Sequence, residues 1–362
     1  MNYLFNQPPK LNNTKPILAF DWGDTLMVNN RRFNGPMESW PSVRACEGAR
    51  QALETLSPRF NLVVATNTTE SNAAQVRAAL DRVELGAFLS AIYTPFELHA
   101  YKPEPAFYHA IQRASGVAPG QAIMVGDDFW ADVSGSWQAG WRCIWLNPAG
   151  QACPGLVPPH DAEINSLAEL PSALEEPPLP SLNQCQGWLL DQGASYDVLA
   201  HVNLVAAASY LLAVELRSRG VVVDPVLAHR GGLLHDLAKI SSKRIGPNAN
   251  HGEVGASLLR DLGQNALAEI AGRHLLFRLG TEDGPHTWEE KLVHFIDKLA
   301  EGNSLVPLDV RLAALSQRYQ ADAERFQVFR QPLLELQAEI AGAAGLSSAE
   351  LLPFLQASLH GK

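Results

Sequence analysis

The chain has 362 residues and a mass of 39.4 kDa, enough for two domains of ordinary size, each with its own core. Hydrophobic residues make up 46% and charged residues 18%, which is the balance of a globular chain rather than a disordered one. The formal net charge of −10 argues against tight binding to long DNA or RNA, which depends on Lys and Arg at the phosphates. A small nucleotide is not excluded, because bound metal ions can supply positive charge locally.

The cysteines and the apolar runs predict the cellular compartment of the protein. Cys46, Cys143, Cys153 and Cys185 show neither CxxC nor zinc-finger spacing, and we see no secretory leader. We therefore expect free thiols and a cytoplasmic protein. The most apolar run, LVAAASYLLAVEL, is too short to cross a bilayer and is interrupted by Glu215, so no membrane segment is expected.

Strand and helix patterns alternate along the first half of the chain. Residues 1–14 are polar with two prolines, and we expect a flexible arm there. From 15 to 175, short apolar runs alternate with helix-patterned stretches, which predicts a doubly wound, parallel α/β sheet of the Rossmann type. Motif residues placed after such strands cluster at the carboxyl ends, where these sheets bind ligands. The expected strands are 17–20, 62–65, 91–93, 122–125 and 143–146.

The pattern changes at a proline-rich segment. The stretch LEEPPLPSLNQ breaks both periodicities, so we place a linker at residues 176–183. Beyond it, runs of β-branched residues almost vanish and helical spacing takes over, for example at Leu204, Ala208 and Leu211. Residues 184–362 are therefore expected to form an all-α domain.

Polar motifs follow the expected strands of the first domain. In chain order they are Asp21 and Gly23 in FDWGDT, Thr66 in VVATN, Lys102 in YKPEPAFYHAI, and Asp127 and Asp132 in MVGDDFWAD. This order resembles the four motifs of the haloacid dehalogenase (HAD) superfamily over roughly residues 15–175. The gaps between the motifs leave no room for a large cap domain.

The HAD resemblance implies a role for each motif residue. Asp21 would be a carboxylate nucleophile that forms an aspartyl-phosphate, while Thr66 and Lys102 would hold the phosphoryl oxygens. The metal would be Mg²⁺, a hard cation that prefers oxygen ligands. Its expected ligands are Asp21, the Gly23 carbonyl, Asp127 and Asp132.

One position departs from the family pattern. HAD phosphatases read DxDxT, and the second Asp transfers protons to the leaving group and from water. Here the motif reads Asp21-Trp22-Gly23-Asp24-Thr25, so Gly23 stands at the acid/base position. Loss of general acid/base help costs about 10²–10⁴-fold in rate. Whether this domain hydrolyses phosphoesters is therefore left open. The alternative is a metal-binding scaffold with weak or no catalytic activity.

The second domain contains six potential metal ligands within helix-patterned sequence. They are His201, the pair His235 and Asp236, His251, His274 and Asp297. Imidazole and carboxylate together suit divalent Fe, Mn, Co, Ni or Zn. The order H…HD…D resembles the HD phosphohydrolase superfamily. The additional histidines resemble the subset that holds two metals.

The HD resemblance also implies roles. Asp236 would bridge two metal ions, and Lys239, one turn later, would meet a substrate phosphate. His201, His235 and Asp297 would complete one metal site, and His251 and His274 the other. The motifs HGEVGASLL, RHLL and EKLVHFIDKLAEG look most like the HD hydrolases that split diadenosine tetraphosphate symmetrically.

Three functions are compatible with these motifs. The leading one is a metal-dependent phosphohydrolase that acts on a small nucleotide or dinucleoside polyphosphate at the HD site, fused to a Mg²⁺-binding HAD-like domain. The second is nucleotide or RNA end-processing, with a 2′,3′-cyclic phosphodiesterase and a phosphomonoesterase in series. The third is a sensing or scaffold protein with an inactive HAD-like domain. Oligomeric state is left open, and a homo-oligomer is compatible with all three.

Overall fold

The computed structural model divides into two compact units. It describes residues 15–175, 177–246, 249–318 and 328–360, so the predicted arm, 1–14, lies outside the described residues. The first unit comprises Met1–Ala149 and Pro159–Pro178, and the second comprises Gly150–Pro158 and Leu179–Lys362.

The segment Gly150–Pro158 clusters with the second unit, whereas the sequence-based boundaries put it in the first domain. Two hydrogen bonds account for this. The backbone N–H of Cys153 donates to the Tyr210 hydroxyl at 3.0 Å, and the Arg230 guanidinium donates to the Pro158 carbonyl at 2.9 Å. Such pairing depends on tertiary contacts that composition does not encode.

The first unit is built on a parallel six-stranded sheet, as the predicted fold class requires. Its strand order is β3-β2-β1-β4-β5-β6, with Leu18 of β1 in register with Leu62 and Ile123. The last strand was not predicted, because its three residues include a glutamate and form no apolar run. The strands are β1 Ile17–Phe20, β2 Asn61–Ala65, β3 Ala91–Tyr93, β4 Ala122–Gly126, β5 Arg142–Leu146 and β6 Ala162–Ile164.

Burial explains why these strands read as continuous apolar runs. Every residue of β1, β2 and β4 is buried, as in strands that are covered on both faces. A π-helical turn, Phe129–Ser134, separates β4 from α5. The helices of this unit are α1 Ala49–Leu56, α2 Ala73–Asp81, α3 Pro95–Leu98, α4 Pro105–Ser115, α5 Gly135–Gln138 and α6 Leu170–Ala173.

In its described residues the second unit consists of helices and their connections, together with one small hairpin. Its antiparallel strands, β7 Ala300–Glu301 and β8 Ser304–Leu305, are only two residues long, too short for a period-two pattern to reveal them. The helices are α7 Leu182–Asp191, α8 Tyr196–Ser218, α9 Pro225–Leu234, α10 Ser242–Ile245, α11 His251–Asp261, α12 Asn265–Arg273, α13 Trp288–Asp297, α14 Leu308–Arg318, α15 Arg330–Ala343 and α16 Ser348–His360.

Helix α8 is longer than the apolar run that was considered in the sequence. At 23 residues it is long and apolar enough to cross a membrane by length and composition, so the run LVAAASYLLAVEL is part of a longer helix. Of its most apolar window, however, 67% is buried inside the structure. Val202, Val205 and Leu212 are fully buried. The core helix of a globular domain passes the same test, so the helix is weak evidence for a membrane span.

Helices α8 and α9 approach each other closely at a glycine. A Cβ atom added to Gly232 would lie 2.5 Å from the Ala206 Cα and 2.7 Å from the Ala206 N, both backbone atoms of α8. Helix α9 itself begins where Asp224 caps the N–H groups of Val226 and Leu227, at 2.8 and 3.1 Å. A side chain at position 232 would therefore push two well-defined helices apart.

We predict that Gly232→Ala destabilises the second unit by about 1–3 kcal/mol, the usual cost of overpacking a well-packed core. Chemical denaturation followed by circular dichroism measures the effect. Gly187→Ala is the matched control, because a Cβ there meets nothing within 4 Å inside α7. It should stabilise by about 0.5–1 kcal/mol through helix propensity. Equal effects of the two substitutions would contradict the close approach.

Candidate functional site

Lys102 joins two carboxylates at the carboxyl edge of the sheet. Its Nζ lies 2.6 Å from Asp21 Oδ1 and 2.6 Å from Asp132 Oδ1, and its side chain is 2% exposed. Burial opposes the charge of Lys102, but Asp132 and Asp21 outweigh it and raise the pKa of the amine. The ammonium is therefore held charged beside Asp21, the position assigned to the nucleophile.

Asp127 completes a group of three carboxylates. Asp21, Asp127 and Asp132 each offer an oxygen, and these oxygens lie within 4.8 Å of one another. Burial, followed by the charge of Asp21, raises the pKa of Asp127 to about 6. One lysine cannot neutralise three carboxylates, and all the donors are oxygens. The set therefore fits a hard divalent cation such as Mg²⁺.

The structure shows what Asp24 does in the altered motif. Its backbone has a φ of 56°, and its Oδ1 accepts the N–H of Asn29 at 2.9 Å. Its own N–H donates to the Met27 carbonyl at 2.7 Å. Asp24 thus stabilises the turn after β1, with one carboxylate oxygen engaged by the backbone of Asn29. At Gly23, the nearest atoms that a Cβ would meet are Cβ and Nδ2 of Asn29, at 3.8 Å.

Two residues that position the motif were not predicted. Asn67 pairs with the backbone of Lys102: its Nδ2 donates to the Lys102 carbonyl, and its Oδ1 accepts the Lys102 N–H, both at 2.7 Å. The Thr25 hydroxyl donates to Asp127 Oδ1 at 3.0 Å. Both follow expected strands next to residues that were singled out, so adjacency to a motif was the available signal. Thr66 is buried after β2.

A cavity of about 430 Å³ is lined by all six predicted residues of this domain. It is also lined by Met37 and Trp40, which are 5% and 7% exposed. The segment that carries them is fixed by Arg82, whose guanidinium donates to the carbonyls of Glu38 and Trp40 at 2.8 and 2.7 Å. The cavity thus combines an anionic, metal-compatible part with an apolar part held in place by α2.

In the second unit, Asp236 lies between two pairs of imidazoles. Its Oδ1 is 3.2 Å from His251 Nε2 and 3.7 Å from His274 Nε2. Its Oδ2 is 3.5 Å from His235 Nε2 and 3.7 Å from His201 Nε2. Each carboxylate oxygen therefore faces one pair of nitrogens, which is the arrangement needed for a bridging ligand.

Asp297 joins one of the two pairs. Its Oδ1 is 3.0 Å from His201 Nε2 and 3.7 Å from His235 Nε2. Burial disfavours its ionisation, but Lys298 and His201 outweigh burial and hold the pKa of Asp297 well below its usual range. Lys298 contacts the other Asp297 oxygen and also donates to the His274 carbonyl at 2.9 Å. All six predicted ligands are thus brought together.

The ligands come from separate helices. His201 lies in α8 and Asp297 ends α13, while His251 is the first residue of α11. His235 and His274 are the C-cap residues of α9 and α12. Ligands scattered over a hundred residues of sequence therefore meet because five helices pack around one point.

Hydrogen bonds at the far ring nitrogens set the histidine tautomers. His235 Nδ1 lies 2.7 Å from the Gly232 carbonyl, and His274 Nδ1 lies 2.6 Å from the Ala271 carbonyl. A carbonyl only accepts, so each Nδ1 carries the proton and each Nε2 offers a lone pair to the centre.

The donor set fits divalent transition metals. Among the described residues, His235 Nε2 is buried with no hydrogen-bond partner, a costly state for a polar atom unless a ligand takes its lone pair. Burial, and then the charges of His235 and His251, lower the pKa of His274 well below its usual range. Neutral imidazole is the form that binds metal.

Lys239 lies at the edge of this centre. Its Nζ contacts Asp236 Oδ2, and its side chain is 33% exposed. The amine therefore places positive charge next to the ligand predicted to bridge the metals.

Comparisons with known proteins agree with this division. The sequence model of the haloacid dehalogenase-like hydrolase family matches residues 17–140, and that of the HD domain matches residues 198–302. Proteins of these two families generally use divalent metal ions.

Individual relatives match only part of the chain. An uncharacterized protein of Methanocaldococcus jannaschii, MJ0778, is 35% identical over 133 residues, which cover 33% of this chain and 76% of the relative. The N-acylneuraminate-9-phosphatase of Mus musculus is 25% identical over 142 residues, covering 38% of this chain and 56% of that enzyme. The chain thus spans about half the length of this second relative.

Among solved structures, an uncharacterized protein from Listeria monocytogenes serotype 4b is 26% identical with a TM-score of 0.40, covering 44% of this chain and 97% of that one. The two matched families lie in the two units of the structure, one with the sheet and one with the helices. The chain therefore joins a haloacid dehalogenase-like hydrolase domain to an HD domain, and it is a hydrolase acting on phosphoester bonds.

Proposed function

We propose that the HD domain holds two transition-metal ions and hydrolyses a small nucleotide phosphoester or phosphoanhydride, with dinucleoside polyphosphates as the leading substrate class. The observation that carries this proposal is the position of Asp236, whose two oxygens each face a separate pair of imidazole nitrogens. A centre for one ion needs no carboxylate placed between two pairs.

The chain's own residues divide the work at this centre. His201, His235, Asp297 and one oxygen of Asp236 would hold one ion, and His251, His274 and the other oxygen would hold the second. Such ions supply an activated water and a clamp for phosphate oxygens. The protein fixes the orientation of His235 and His274 through their Nδ1 hydrogen bonds. Burial lowers the pKa of His274, which favours the neutral form of that ring.

The open side of the centre suits a phosphate group. His251 is 28% exposed and Lys239 33%, whereas the other five ligands are each at most 9% exposed. Substrate therefore approaches most easily past His251, where the Lys239 ammonium can donate to a phosphate oxygen. The net charge of −10 favours a small substrate over a nucleic-acid polymer.

For the HAD-like domain we propose Mg²⁺ and phosphoryl binding through Asp21, Thr66, Lys102 and Asp127. Support comes from the three clustered carboxylates and the buried lysine between them. Mg²⁺ supplies charge compensation for an incoming phosphoryl group. Lys102 contributes the remaining positive charge and holds Asp21 in place. The similarity to a phosphatase supports the same assignment.

We predict that the reconstituted protein binds two transition-metal ions per chain. Asp236→Ala should lose both, because it removes the residue common to the two ligand groups. His251→Ala should lose one and retain the other, since His201, His235, Asp236 and Asp297 remain. Elemental analysis after gel filtration measures this. One ion or none in the natural chain, or loss of both in His251→Ala, would refute the two-site assignment.

The second prediction concerns which domain hydrolyses nucleotides. His235→Ala should lower hydrolysis of diadenosine tetraphosphate by about 10²-fold or more, because a metal ligand is lost. Asp21→Asn should leave most of that activity, and initial rates followed by chromatography of the products measure both. The reverse pattern, with activity lost in Asp21→Asn and kept in His235→Ala, would place the activity in the HAD-like domain.

The third prediction concerns phosphoryl binding by the HAD-like domain. Beryllofluoride mimics a phosphoryl group on a carboxylate, so it should bind in the presence of Mg²⁺. Binding should be lost in Asp21→Asn but kept in Asp236→Ala, where the other domain is altered. Fluorine NMR of the bound species is the measurement. Binding that survives Asp21→Asn would count against Asp21 as the nucleophile.

A further inference from the structure

The cavity of the HAD-like domain lacks a proton-transfer group where one is expected. Gly23 has no side chain, and the nearest atoms beside it belong to Asn29, whose amide donates and accepts hydrogen bonds but does not exchange a proton as an acid. Asp24 accepts the Asn29 N–H, and Asp128 accepts the N–H groups of Trp130 and Ala131 at 2.8 Å.

The nucleophilic half of the same site is complete. Asp21 is held by the buried ammonium of Lys102, and Thr25 fixes Asp127. The site therefore has the supported nucleophile of a phosphatase but has no acid/base side chain at position 23. Attack on phosphorus is provided for, whereas proton transfer to a leaving group and from water is not.

We propose that this domain accepts phosphoryl groups from acyl phosphates and phosphoanhydrides and then remains phosphorylated on Asp21. The inference rests on the proposed role of Asp21 as nucleophile and goes beyond it in naming the donor class and the long-lived product. The domain would thus act as a phosphoryl acceptor with slow release rather than as a general phosphatase.

The first step needs no proton. A carboxylate oxygen of Asp21 attacks phosphorus, and the bond from phosphorus to the leaving oxygen breaks. The leaving group departs with the electron pair, as a carboxylate from an acyl phosphate or as a phosphate from an anhydride. Both anions are stable at neutral pH. An alkyl phosphate would expel an alkoxide, which requires a proton from an acid that position 23 lacks.

The second step does need a proton acceptor. Water attacks the phosphorus of the aspartyl-phosphate, the Asp21 carboxylate leaves with its electron pair, and phosphate is released. The attacking water must lose a proton, and Gly23 offers no base to take it. Release is therefore slower than formation for donors with good leaving groups, and phosphorylated protein accumulates.

Glu70 is the remaining acidic residue of the described cavity lining, apart from the aspartates already assigned. It is exposed, two residues beyond Thr68, whose hydroxyl accepts the Glu70 N–H at 3.4 Å. Glu70 lies at the solvent side of the cavity and is distant in sequence from the turn after β1. It is therefore the alternative proton-transfer residue that the experiment must test.

The experiment uses the full chain carrying His235→Ala, so that hydrolysis at the HD site does not contribute. The protein is mixed with Mg²⁺ and acetyl phosphate, p-nitrophenyl phosphate or glycerol phosphate, and intact-protein mass spectrometry follows the added phosphoryl group. We expect one group per chain with acetyl phosphate, less with the aryl ester and none with the alkyl ester. Asp21→Asn added to the same chain should remove the signal.

Matched substitutions at position 23 test the cause. Gly23→Asp should raise glycerol phosphate hydrolysis by about 10²–10⁴-fold and shorten the life of the phosphorylated protein. A side chain fits there, because the nearest contact of a Cβ is an ordinary 3.8 Å. Gly23→Asn has nearly the same size but no acid, so it should produce neither of the two effects expected of Gly23→Asp.

Other results would refute this inference, and one of them would also refute the proposed phosphoryl site. Equal rates for acyl and alkyl phosphates without phosphorylated protein would refute the proposal, as would a loss of alkyl phosphate hydrolysis in Glu70→Gln. Beryllofluoride binding without phosphorylation by any donor would refute this inference and leave the proposed phosphoryl site standing. Failure of beryllofluoride to bind would refute both.

Discussion

Carboxylates buried side by side repel one another unless positive charge lies between them, and both domains depend on meeting that constraint. In the HAD-like domain Lys102 lies between Asp21 and Asp132. In the HD domain Lys239 contacts Asp236 and Lys298 contacts Asp297. In the HD domain burial opposes ionisation, but His235 and Lys239 hold the pKa of Asp236 well below its usual range, and Lys298 does the same for Asp297. In the HAD-like domain burial raises the pKa of Asp127 to about 6 and that of Asp132 to about 8, despite the ammonium of Lys102.

The two domains reach this arrangement by different architectures. Parallel strands end at one edge of the sheet, so residues that follow β1, β2 and β4 meet there without further design. The helices of the HD domain have no such common edge. Its ligands meet because α8, α9, α11, α12 and α13 pack around one point, and small residues such as Gly232 permit the close approach.

Long, strongly patterned elements were predictable from the sequence. The five expected strands are found within one residue of their predicted bounds, because fully buried parallel strands read as unbroken apolar runs. The missed strand β6 and the hairpin of β7 and β8 are too short to carry a period. The position of Gly150–Pro158 depends on hydrogen bonds to Tyr210 and Arg230, which lie far away in sequence.

Candidate site residues that belong to a sequence motif were predictable. Residues whose role depends on tertiary contacts were less so. The sequence singled out Lys102, but its support by Asn67 depends on how two loops meet. Likewise, Asp24 could be judged only once its φ and its bond to the Asn29 N–H were known. Motifs thus locate the chemistry, whereas tertiary structure shows which neighbours are free to take part.

The carbonyl of Gly232 connects metal binding to the folding of the HD domain. It fixes His235, whose inward nitrogen is buried without a hydrogen-bond partner among the described residues. The same residue is the point where α9 meets α8. A ligand that binds only the folded state stabilises it by mass action, so a metal ion bound at His235 would also stabilise the folded state in which these helices are in contact. The supply of metal in the surroundings would then govern how much of the domain persists in its folded form.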